Sequence, residues 1–239
     1  MEQNNQAQPS ALSNASMLAA LGITLMYGLT VLLSLTVHNH GDSYALWVLP
    51  PVCLILWLIG MYNLSSVFKN ANTDVARRFK GIFNGQLGIV ITTVVCVLLF
   101  VLVVNKAKRF SDIDTFVLNI RMLLVALCVC HVVFLTICYR HSRALKSAGL
   151  KSMGLVSAAF VLQLVVMSIL AIFFFVVLFM TEKVFTHMIG HGIDGIYVLG
   201  VILGLTLIVA ALIMIIGWWG VRNELPKVYD GAFKRVGEL

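Results

Sequence analysis

Apolar residues run almost unbroken through six stretches of this chain, at 17–37, 44–66, 82–104, 117–138, 153–180 and 195–219. Polar residues gather in the short segments between them. Each stretch reaches the roughly 20 residues that a helix needs to cross about 30 Å of hydrocarbon. A segment surrounded by lipid must satisfy its own backbone groups, so continuous apolar runs of this length predict helices rather than barrel strands. The expected fold is all-α: a polytopic membrane protein with six transmembrane helices over residues 17–220. A polar tail (1–16) precedes them and a basic amphipathic segment (221–239) follows. The tail holds no Lys or Arg and the apolar run after it is long, unlike a cleavable signal peptide. The first span is therefore read as a retained helix.

The pattern suggests three successive α-hairpins, roughly 1–80, 81–152 and 153–239. Even-numbered spans end in an aromatic and then a basic stretch: GMYNLSSVFKNA from Gly60, ICYRHSRALKSA from Ile137 and GWWGVRNELPKV from Gly217. Gln86-Leu87 and Gln163-Leu164 lie 77 residues apart, as do Tyr62 and Tyr139. Any six-helix chain with short loops shows some such spacing, so the repeat is an expectation that rests on few identities. Where repeats of this kind are real, they often enclose a pathway or binding cavity.

Two polar-edged stretches keep a helical stripe beyond the spans. Val67, Ala71, Val75 and Phe79 recur at i, i+4, and Val221, Leu225, Tyr229 and Val236 do something similar. Both stripes suit interfacial helices lying on the inner leaflet; the alternative is that they extend the transmembrane helices into water. Pro50-Pro51 should kink span two near its outer third, because each proline removes a backbone donor.

Composition agrees with the pattern: 60% of residues are hydrophobic and 11% charged, against roughly 25% charged in an ordinary soluble domain. Charge adds an orientation. With both termini cytoplasmic, twelve Lys and Arg lie inside, among them Lys69, Arg77, Arg78, Lys80, Arg140, Arg143, Lys146, Lys234 and Arg235, and five lie outside. The positive-inside rule then predicts N-in, C-in. Acidic residues divide evenly, so the net charge of +7 falls on the inner side, where it would attract anionic headgroups. Short loops and the lack of a soluble domain suit a bacterial cytoplasmic membrane. Nucleic acid is not an expected partner.

Small residues mark candidate packing faces: Gly81 and Gly85 in span three, Gly154 in span five, and the GxxxG of Gly200 and Gly204 in span six. In lipid, helices associate where small residues let backbones approach. Packing within one bundle is the expected use, with a homo-oligomer or membrane-protein partner as the other.

Candidate chemistry is sparse. HNHGD at 38–42 and HMIGHGID at 187–194 place His38, His40, His187 and His191 in the outer loops, with nearby aspartates. Such ligands suit zinc or copper, but polar loops often carry these residues, and Gly190 and Gly192 disfavour a helix there. An ordinary solvated loop is expected, and no metal or cofactor is assigned. LCVCHVV in span four lacks the CxxCH of haem attachment, so His131 is expected to bond a neighbouring helix beside small apolar cysteines. No acidic residue or lysine lies deep in a span, which disfavours ion-coupled transport. HExxH, GxSxG and phosphate-cradling loops are also missing, so catalysis is not expected.

Gln86 and Gln163 are the remaining polar groups within the spans. An unpaired amide in hydrocarbon is costly, so both should face the bundle. The expected function is a noncatalytic membrane subunit or scaffold that meets a partner or anionic lipid. The alternative is an uncoupled channel or carrier for a small or amphiphilic solute, with a path along Asn84, Gln86, Thr92 and Gln163. A conduit should contain a cavity; a scaffold should be packed solid.

Overall fold

The computed structural model describes the backbone over residues 7–36, 45–107, 113–180 and 182–237, and side chains over 10–28, 52–69, 72–105, 116–180 and 197–230. Among the described residues six helices follow one another: α1 (Ala7–Thr36), α2 (Ala45–Ala71), α3 (Thr73–Ala107), α4 (Ile113–Ser147), α5 (Met153–Leu178) and α6 (Glu182–Gly237). All six are long and apolar enough to cross a membrane, as the hydropathy pattern requires. The protein is a multi-pass helical membrane protein.

Each helix packs on its neighbours in chain order, and α6 returns to α1, closing the bundle into a ring. The reversals at the basic end are short. Between α2 and α3 stands Asn72, whose Oδ1 accepts the backbone N–H groups of Asp74 and Val75, each at 3.1 Å. This satisfies two of the donors that a helix start leaves free. The α4–α5 turn uses Gly149 at φ +108°, a left-handed conformation that suits glycine. The Glu224 carboxylate on α6 then accepts from both the backbone N–H and the hydroxyl of Ser152, each at 2.9 Å. One helix thus supplies the cap of another.

The best-packed part of the molecule lies at this basic end. Phe68 of α2 stacks against Phe79 of α3 and edge-on against Tyr229 of α6, with ring centroids 5.8 and 5.5 Å apart. Val75, Leu145, Met153, Val221 and Leu225 are buried around them. Toward the other end the outward faces of α3, α5 and α6 are exposed and apolar, including Leu98, Leu102, Ile172, Ile202 and Leu205. Those faces suit lipid.

Several helices outrun the expected spans. α1 begins at Ala7, so residues read as a polar tail contribute Leu12, Ala15 and Ser16 to the interior. Neither amphipathic stripe forms a separate interfacial helix: the first is broken by the reversal at Asn72, with Val67 and Ala71 ending α2, and the second continues α6. Val75 and Phe79 lie in α3, and Val221, Leu225 and Tyr229 in α6, all buried against other helices. Their apolar faces find protein partners instead. α6 holds 56 residues, about 84 Å at 1.5 Å per residue, far beyond one bilayer. It includes HMIGHGID, whose backbone is helical despite Gly190 and Gly192; two glycines cost roughly 2 kcal/mol of propensity, too little to stop a helix of this length. Pro50 and Pro51 lie inside α2.

Close approach also falls at glycines outside the expected packing set. A Cβ on Gly22 of α1 would stand 2.5 Å from the Trp57 backbone nitrogen. Gly60 of α2 meets the Ala19 backbone in the same way. At the α5–α6 contact, a Cβ on Gly217 would lie 2.8 Å from Val156.

Candidate functional site

Inside the ring of helices lies a half-open cavity of about 720 Å³, lined from all six of them. α3 gives it the longest wall: Gln86, Ile89, Val90, Thr93 and Val94 follow i, i+3, i+4, i+7 and i+8, one face of a helix, over about 12 Å. From α6 come Gly204, Leu207, Ile208 and Ala211, the same periodicity. The lining is mostly apolar, and its polar groups are Tyr27, Gln86, Thr93, His131 and Gln163. None of the described lining residues carries a carboxylate, guanidinium or ammonium group.

Hydrogen bonds hold these groups in place. Gln163 Nε2 donates to the Tyr27 hydroxyl at 2.8 Å, joining α5 to α1. Gln86 is 8% exposed and its Nε2 points to Cys138 Sγ of α4 at 3.6 Å. His131 is also 8% exposed; its Nδ1 is 2.8 Å from the Leu127 carbonyl and its Nε2 is 3.4 Å from Thr93 Oγ1 of α3. The Thr93 hydroxyl donates to the Ile89 carbonyl at 2.8 Å.

Toward the basic end the cavity stops at aromatic packing. Trp57 follows Leu54 by one turn, and Trp218 follows Ala211 by about two turns. Their rings meet edge-on with centroids 6.5 Å apart, and each is 1% exposed. Their indole nitrogens are buried without hydrogen-bond partners. Trp219 beside them donates to Thr24 Oγ1 at 2.9 Å.

Of the four residues expected to line a path, Gln86 and Gln163 face the cavity, while Asn84 and Thr92 do not. Helix geometry explains the split. At about 100° per residue, Thr93 returns to within about 20° of Gln86, whereas Thr92 sits about 120° and Asn84 about 160° away. Asn84 is exposed. Thr93 was therefore recoverable from its spacing to Gln86. Tyr27 had a weaker signal, a hydroxyl-bearing ring in the middle of an apolar run, and His131 was expected only as an interhelical bond.

The predicted packing glycines divide likewise. Gly81 lies under the His141 ring, a Cβ on Gly85 would stand 2.6 Å from Cys138 Sγ, and the Lys146 stem covers Gly154 at 3.3 Å. Gly200 and Gly204 have nothing within 4 Å. They make no helix contact inside the bundle, and Gly204 widens the cavity instead. In the basic set, Lys69, Arg77, Lys80, Arg140, Arg143 and Lys146 are exposed. Arg78 pairs with Asp74 at 3.7 Å. Lys234 and Arg235 lie on the α6 backbone, their side chains outside the described residues. The side chains of His187 and His191 are likewise outside them, as are His38 and His40 altogether. Among the described residues no cluster of three metal-ligating side chains occurs.

No protein-family model, curated protein or solved structure matches the chain.

Proposed function

We propose that this is a noncatalytic membrane protein that receives an amphiphilic solute or lipid into the chamber at the centre of its helical ring, as a carrier or receptor and not an open pore. The supporting observation is the cavity itself. Its volume of about 720 Å³ falls within the roughly 300–1,000 Å³ of small-molecule sites, and apolar walls with a few fixed polar groups are what such sites present. A pore needs continuity, and the Trp57–Trp218 pair with the aromatic packing beyond it argues against a passage through the basic end.

The exposed cations at that end support a second contact, with anionic headgroups or an acidic partner at the inner leaflet. The N-in, C-in orientation in a bacterial cytoplasmic membrane belongs to the same reading.

Reconstituted vesicles test the main reading. Purified protein should retain or saturably bind an amphiphile while passing no ions under an imposed gradient. Sustained ion flux, or no saturable amphiphile binding, would reject it.

A further inference from the structure

The polar groups of the cavity do not balance, and the imbalance bears on the ligand. A carbonyl oxygen only accepts, so the 2.8 Å contact between His131 Nδ1 and the Leu127 carbonyl places a hydrogen on Nδ1. In the neutral ring Nε2 is then a bare acceptor. Its neighbour at 3.4 Å is the Thr93 hydroxyl, which has one proton and a shorter, 2.8 Å contact with the Ile89 carbonyl. One proton cannot serve both acceptors. The shorter contact takes it, and Nε2 is left beside the cavity needing a donor.

On the α1–α5 side, the Tyr27 hydroxyl accepts from Gln163 Nε2 at 2.8 Å. Its own proton and the Gln163 carbonyl oxygen remain for other partners. The lining thus offers both acceptors and donors. It offers no formal charge to balance an ion, and an unpaired ion among apolar walls would be strongly disfavoured.

We propose that the cavity binds an uncharged lipid whose polar end carries a hydroxyl group, with that hydroxyl donating to His131 Nε2 and the apolar chain lying along the α3 and α6 walls. This rests on the reading that the cavity holds an amphiphile, and it adds the headgroup chemistry. A hydroxyl supplies the donor that Nε2 lacks without bringing a charge. An ether or ester cannot donate. A carboxylate or ammonium group would need a counter-ion that the described lining does not contain.

The two tryptophans beneath the cavity make the test direct. Protein in phosphatidylcholine nanodiscs is titrated with chain-brominated hexadecanol, its methyl ether, the matching hexadecanoate and the matching alkyltrimethylammonium, and tryptophan quenching is followed. The alcohol should quench saturably and bind at least fivefold more tightly than the ether. His131→Phe should abolish that preference while still binding both weakly. The alcohol–ether comparison on unaltered protein needs no variant to fold. Equal binding of alcohol and ether, or tightest binding of either ion, overturns the hydroxyl proposal and leaves an amphiphile site standing. Absence of saturable quenching by all four overturns both.

Discussion

Gln163 on α5 and Tyr27 on α1 are joined by a 2.8 Å hydrogen bond from amide to hydroxyl, although their helices do not otherwise pack together among the described residues. The bond links the two helices that flank α6 in the ring. It also explains how an amide deep within an apolar span is tolerated.

Interhelical polar bonds in membranes average only about 0.6 kcal/mol and reach about 1.7. Gln163→Leu and Tyr27→Phe should each therefore leave the protein folded, lowering its stability by about 1 kcal/mol. A double-mutant cycle from denaturation in mixed micelles should give a coupling of about 0.6 kcal/mol. Full additivity would mean that the bond contributes nothing in the membrane.

Gly22 and Gly204 should respond oppositely to enlargement. A side chain on Gly22 meets the Trp57 backbone, which cannot swing aside, so Gly22→Val should destabilise the bundle by about 3 kcal/mol and lower its abundance sharply. Gly204 has open space before it, so Gly204→Val should fold normally and reduce amphiphile capacity. Quantitative immunoblotting and melting of the two variants in parallel check this. Equal loss would show that Gly204 is packed.

Glu224 accepts two hydrogen bonds at the start of α5, where a carboxylate also complements the helix dipole. Glu224→Ala should lower stability by about 1–2 kcal/mol, and Ser152→Ala by less, since it removes one bond and keeps the backbone contact. The ranking of their melting temperatures decides. A Ser152→Ala loss larger than that of Glu224→Ala would contradict the capping account.

Orientation can be read with an impermeant thiol reagent applied outside intact cells, in a background lacking the five native cysteines. Ser147→Cys, at the basic end of α4, should be protected, and Ser111→Cys should be labelled. The reverse labelling would place the basic end outside.

The number and kind of helices were legible in the sequence because hydrocarbon imposes one condition on every residue of a span, whatever its neighbours. The cost of an unpaired amide likewise pointed Gln86 and Gln163 inward, and both line the cavity. What the sequence could not decide was which apolar face meets lipid and which meets protein, since both environments are apolar. Gly81–Gly85 and Gly200–Gly204 both carry the GxxxG spacing, yet the first pair packs on α4 and the second has open space where a Cβ would stand, while Gly22 and Gly60, which carry no such motif, hold α1 against α2. The same ambiguity hid the fate of the amphipathic stripes, whose apolar positions lie against α2, α3 and α6 instead of lipid. Local glycine propensity argued for a loop at HMIGHGID, and the length of α6 outweighed it. The cavity belongs wholly to the tertiary structure. It arises because α6 closes on α1 and leaves the centre of the ring unfilled, a relation between the two ends of the chain that no local pattern contains.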